Sequence, residues 1–175
     1  MTADFGEIAS GTDRQGKIIV ALREEVAEYG ALLNCFDEQQ SAILARDPEA
    51  VTMADETISL QLVTTRDRRR HREILVAELA AVSGQPTHSS LTALKPLFAE
   101  PMGPLVQALI TEVNRLITLA RRRAQQNQML LARTIELTQE IVSTLSPGTV
   151  TRTYSPQGRM KIKASAGVGR LLEKS

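Results

Sequence analysis

The chain has 175 residues, enough for one domain, with 42% apolar residues, no tryptophan, three phenylalanines and two tyrosines. Helix-forming Ala, Leu, Glu, Arg and Gln dominate, which excludes a thick aromatic core and favours an elongated all-α bundle. The formal net charge of +1 nominates no polyanionic partner, and the single cysteine, Cys35, rules out an intramolecular disulfide.

The charge is unevenly spread. From Ser146 onward six Lys/Arg stand against Glu173 alone, so the tail carries +5 and the body the remaining −4. The N-terminus, with Asp4 and Glu7, does not read as a signal peptide, and no run reaches the roughly 18 apolar residues of a membrane span. The expectation is a cytoplasmic protein without stable membrane insertion.

Taken in order, Met1 to Gly16 carries Gly6, Gly11 and Gly16 with no sustained periodicity and reads as a disordered leader, residues 1–16. A first helix is expected over residues 17–46, with Ile19, Leu22, Val26, Tyr29, Leu33, Phe36 and Ile43 on one seam. Asp47-Pro48-Glu49 then supplies an N-cap, a proline preorganised for a first turn and an acid suited to the helix dipole. So short a connection predicts an antiparallel hairpin.

The second helix, residues 48–83, stops at Gly84 and Pro86. Its seam is apolar at the ends (Val51, Ile58, Leu62, then Val76 and Leu79) and polar between them (Thr65, Arg69, Arg72). A proline-bearing connector follows, with one short helix expected over residues 91–98. The third long helix, residues 104–145, would run roughly 60 Å at about 1.5 Å per residue. Val106, Leu109, Val113, Leu116 and Ala120 mark its seam, and a second apolar line through Ile110, Ile117, Leu131 and Leu145 widens the face enough for two neighbours. The bundle is expected over residues 17–146, and a flexible basic tail over 147–175. In that tail Val168, Leu171 and Leu172 fall on one face of a possible short helix.

For chemistry, the run from Arg66 to Arg72 is the first candidate. A hairpin about position 47.5 sets residue i level with roughly 95 − i, which places this run beside Glu24, Glu25 and Glu28. With the third helix antiparallel to the second, Arg121, Arg122 and Arg123 arrive near residues 64 to 66. The middle of the bundle should then be polar and Arg-rich, a solvated and partly salt-bridged belt. No nucleic acid is expected, because neither run carries stacking aromatics. An Arg-lined cavity for a small dicarboxylate, as in all-helical chorismate mutases, is the enzymatic alternative. No further residue pattern supports it, so no catalytic residue is nominated. With only His71 and His88, neither in a Glu-x-x-His pair, no metal or cofactor is expected either. Cys35 reads as a small packing residue or an inert surface thiol.

The end of the third helix is the stronger candidate. Arg123 and Asn127 interrupt the seam, and beyond them Leu130, Leu131, Ile135, Leu137, Ile141, Val142 and Leu145 spread around more of the helix than one covered stripe requires. The first two helices, about 30 and 36 residues, are shorter, so the last turns should overhang and need a partner. That partner is the folded-back tail, a second copy forming a homodimer, or another protein's helix laid into the groove.

Ala45-Arg-Asp-Pro-Glu-Ala-Val51, the long last helix with Asn127-Gln-Met-Leu-Leu131, and Thr153-Tyr154-Ser-Pro-Gln-Gly158-Arg159 in the tail resemble the FlgN-type flagellar export chaperones over Ile19 to Arg159. The resemblance implies a cytosolic chaperone without enzymatic activity. Such proteins bind C-terminal helices of flagellar hook-associated proteins at the hook and filament junction, prevent their early assembly and deliver them to components of the type III export apparatus. It places partner binding towards the C-terminal end, here Leu130, Leu131, Leu137, Ile141 and Leu145, with Val168, Leu171 and Leu172. The competing readings are a structural coiled-coil homo-oligomer without a client, using the same seam, and a small helical enzyme with the Arg-lined site.

Overall fold

The computed structural model describes residues 4–145, 150–154 and 160–164, with side chains over residues 13–145. Four α-helices and two short strands follow one another: α1 (Asp4–Ala45), α2 (Pro48–Val82), α3 (Leu91–Leu94), a 3-10 turn (Lys95–Leu97), α4 (Met102–Leu145), β1 (Val150–Tyr154) and β2 (Met160–Ala164). They form two compact units, residues 1–130 and residues 131–175.

Both ends of the α1–α2 hairpin close by the same chemistry. At the end of α1, Arg46 takes a left-handed φ of 56°, its N–H donates to Ile43 O and the Asp47 N–H donates to Ala42 O, both at 3.1 Å. At the end of α2, Gly84 takes a φ of 67° and the same pair of bonds runs from Gly84 to Ala81 O and from Gln85 to Ala80 O. These are Schellman closures, which satisfy carbonyls that the helix leaves unpaired. Glycine suits the second at no steric cost, whereas arginine carries the first against its preference. Asp47 Oδ1 then accepts from the Ala50 N–H at 3.0 Å, with Pro48 in the first turn and Glu49 beside it, so α2 starts as the sequence predicts.

The hairpin register is close to the expected one. Arg72 meets Glu25, Arg68 meets Glu24 and Glu28, and Gln39 meets Asp55. The fourth helix runs parallel to α1 and against α2: Gln15 Nε2 donates to Leu97 O at 2.8 Å near one end, and Asn127 Nδ2 donates to Phe36 O at 2.7 Å near the other. Between them lies the core. Ile18, Leu22, Leu32 and Phe36 of α1 pack with Val76, Leu79 and Ala80 of α2 and with Val106, Val113, Leu116 and Ala120 of α4, and Leu91, Leu94 and Phe98 of the connector close one end. The middle of α2 is apolar-poor, as expected: between Ile58 and Val76 its one buried residue is Thr65.

Two expectations change. The leader does not stay outside the first helix, because α1 begins at Asp4 rather than near Lys17. Glycine costs about 1 kcal/mol within a helix, but extending a helix from already packed turns needs no new nucleus. The Lys17–Asp13 pair, one turn apart at 2.7 Å, and the Gln15 bond to Leu97 support the added turns. The tail, expected to be flexible throughout, contains an antiparallel pairing from Val150↔Ala164 to Tyr154↔Met160. Val-Thr-Arg-Thr-Tyr is rich in β-formers and Met-Lys-Ile-Lys-Ala alternates apolar and basic, a period of two that a search for helical spacing passes over. Val168, Leu171 and Leu172, with the short helix expected around them, lie outside the described residues.

Candidate functional site

Two places on the molecule have chemistry beyond ordinary packing. The first is the polar centre. Glu25 sits at a seam position of α1, three residues after Leu22 and four before Tyr29, and is fully buried. Arg72 Nε donates to its Oε2 at 2.5 Å, while Oε1 has no hydrogen-bond partner among the described residues. A turn further along, Gln61 Nε2 donates to Glu28 Oε2 at 2.7 Å and to Glu28 O at 3.1 Å. Tyr29 completes the layer. Burial raises the pKa of its phenol above the usual value, the Glu25 charge raises it further, and Arg69, Arg72 and Arg121 act in the opposite direction.

This centre refines the expectation of a solvated and partly salt-bridged belt. Arg68–Glu24 and Arg69–Glu73 are exposed ion pairs of the anticipated kind, but Glu25–Arg72 is a buried one. The arginine that points inward is therefore already paired, through its Nε, with a carboxylate of the chain itself. Among the described residues, no group of three or more His, Cys, Asp or Glu could hold a metal ion.

The second place is the end of α4. The buried face of this helix runs from Gly103 through Val106, Val113, Leu116 and Ala120 to Asn127 and ends there. The two residues that interrupt the apolar seam make the last polar contacts with α1. Arg123 pairs with Asp37 Oδ1 at 3.0 Å and donates to Gln40 Oε1 at 3.2 Å. Asn127 is buried, and its Nδ2 donates both to Phe36 O and to Gln39 Oε1, the latter at 2.8 Å. A buried amide is tolerable only with such partners, so it pins α4 to α1 at one height.

Beyond this clasp the apolar pattern continues with nothing buried behind it. Leu130 and Leu131 are half-buried, whereas Leu137 is 44%, Ile141 54% and Leu145 78% exposed. At about 100° per residue, Leu130, Leu137, Ile141 and Leu145 fall within roughly 80° of one another, and Leu131, Ile135 and Val142 extend the arc to roughly 160°. Ile135 and Val142 are exposed as well. The hydroxyls among them are turned inward on their own helix: Thr138 donates to Thr134 O, and Ser143 and Thr144 donate to Glu140 O, all within 2.9 Å. They compete little for an external donor or acceptor, so the arc offers a partner mainly apolar surface.

The structure thus brings Leu130, Leu131, Leu137, Ile141 and Leu145 onto one helix, and the three remaining nominated residues lie outside what is described. Sequence reasoning missed the burial of Glu25, although its spacing from Leu22 and Tyr29 announces it. It also missed a second apolar line on α2, where Met53, Leu60, Val63 and Ile74 are exposed on the side away from Arg72. No helix among the described residues is long and apolar enough to cross a membrane.

The family model described as FlgN protein matches residues 15–162, which takes in most of α1, all of α2, α3, α4 and β1, and the first three residues of β2. No curated protein and no solved structure matches the chain. The matched span includes the turn at Asp47, the Asn127 clasp and the exposed arc together. On that match the chain belongs to the FlgN protein family, a family of flagellar chaperones.

Proposed function

We propose that this protein is a cytoplasmic export chaperone without enzymatic activity. It holds the C-terminal helices of flagellar hook-associated proteins, prevents their premature assembly and hands them to the type III export apparatus. The observation that carries the reading is that the buried face of α4 ends at Asn127 while its apolar pattern runs on, exposed, to Leu145. A helix with apolar residues at i, i+7, i+11 and i+15, as at Leu130, Leu137, Ile141 and Leu145, is a seat for an amphipathic client helix that would otherwise self-associate. Leu130, Leu131, Leu137, Ile141 and Leu145 form that seat. Val168, Leu171 and Leu172 of the basic tail complete the site by closing over the client, and ordering a client segment on binding costs conformational entropy, which keeps the complex releasable.

The test is calorimetric titration of the purified protein with C-terminal helical segments of hook-associated proteins from the same organism, beside a Leu137→Glu/Ile141→Glu variant. We expect micromolar or tighter binding to the wild type. Loss of about 1.5 kcal/mol of apolar burial at each position weakens the variant about a hundredfold. Both side chains are exposed, so the variant should keep its helicity. A well-folded wild type that binds none of the segments would overturn the reading.

A further inference from the structure

The exposed line on α2 has a pattern of its own. Leu60, Asp67 and Ile74 recur every seven residues, and Val63, Arg70 and Ala77 recur three residues after each, the a and d positions of a coiled-coil seam. Leu60 is 72%, Val63 53% and Ile74 50% exposed, so none of the described residues covers this seam. It lies on the side of α2 opposite Arg72, which faces α1. The helix therefore has two working faces.

The charges in the seam are the informative part. Arg68, Arg69 and Arg72, which lie off it, each have an acidic partner within the chain. Asp67 and Arg70, which lie on it, have no ion pair among the described residues. Laid against a second copy of itself in the antiparallel sense, the seam finds one register in which every layer is matched. Asp67 meets Arg70 of the partner subunit and Arg70 meets the partner's Asp67 at the centre. Val63 then meets the partner's Ile74 on either side, and Leu60 meets the partner's Ala77 beyond that. Just outside the seam, Arg66 comes level with the partner's Glu73. Parallel pairing would set Asp67 on Asp67 and Arg70 on Arg70, and a slip of one heptad either way would press Asp67 or Arg70 onto an apolar side chain. The alternatives carry their own penalties, so the pattern specifies one geometry.

We propose that this face of α2 is the interface of an antiparallel homodimer, fixed in register by reciprocal Asp67–Arg70 pairs. From Glu56 to Ala81 the contact runs roughly 38 Å at about 1.5 Å per residue. It uses none of the residues assigned to client binding, and the inference does not depend on that assignment.

Sedimentation equilibrium of the full-length protein tests it. The wild type should shift with concentration from the 19.2 kDa chain towards twice that mass. Asp67→Arg and Arg70→Asp, each alone, set like charges face to face and should each raise the dissociation constant at least about tenfold, near 1.4 kcal/mol. The double exchange Asp67→Arg/Arg70→Asp restores opposite charges and should bring the dimer back. Val63→Glu should abolish it in a chain that stays helical by circular dichroism. A wild type monomeric throughout the accessible concentrations would overturn the proposal. So would a dimer indifferent to the single reversals, or one broken by Leu137→Glu/Ile141→Glu but not by Val63→Glu.

Discussion

Glu25 is the residue on which the energetics of the hairpin turn. An ion pair at the surface, such as Arg68–Glu24 with both side chains about 40% exposed, contributes well under about 1 kcal/mol. The Glu25 carboxylate is fully buried, and only one of its oxygens is bonded among the described residues. Removing its partner therefore costs more than the pair itself is worth. Arg72→Leu is expected to lower the unfolding free energy in urea by about 3 kcal/mol, because it strands a charge, whereas Glu25→Leu/Arg72→Leu should recover most of that loss. Equal destabilisation by the single and double variants would mean that packing, rather than the stranded charge, dominates.

At the scale of whole elements, most of the architecture is legible before any coordinates. Asp47-Pro48-Glu49 and Gly84 announce the ends of α2 because capping is local chemistry. The mirror arithmetic about the hairpin places the arginines beside Glu24, Glu25 and Glu28 because a short turn leaves no other register. What the sequence hides is anything that depends on which of two plausible faces a neighbour takes. Leu62 lies on the apparent seam of α2 and is 40% exposed, while Thr65 in its polar stretch is buried. The N-terminal turns of α1 and the strand pair were hidden for another reason: glycines and short alternations carry weak local signals, and their outcome is set by what they adjoin. Asn127 shows both sides of this. Its motif was visible, but not that its amide reaches a backbone carbonyl of α1. Asn127→Ala removes two hydrogen bonds and should cost about 1–2 kcal/mol in urea unfolding. A change too small to resolve would show that α4 is held by its apolar face alone.

For the molecule as a whole, the division at Leu130 separates labour. Residues 1–130 contain the buried core, and residues 131–175 contain the exposed end of α4 together with the strand pair and most of the basic excess. Truncation after Pro147 should accordingly leave the urea midpoint and the helical signal per residue of the bundle unchanged, since no core residue is lost. Affinity for hook-associated segments should fall, because the tail no longer closes over them. Unchanged affinity would remove the tail from the binding site and leave the α4 arc to act alone.

The continuity of α4 has a consequence for who bears the cost of folding. An isolated helix of the length of its last five turns is marginal in water, because starting a helix is unfavourable by about a thousandfold. Here the start has already been made between Met102 and Asn127, where the helix is packed, and residues 128–145 merely prolong it. The arc is thus displayed preformed, as a template. On the proposed function, a client segment arriving as coil bears the ordering cost of its own helix, so its affinity will track its own helical propensity. Among clients with the same apolar residues, the poorest helix formers would be the first released.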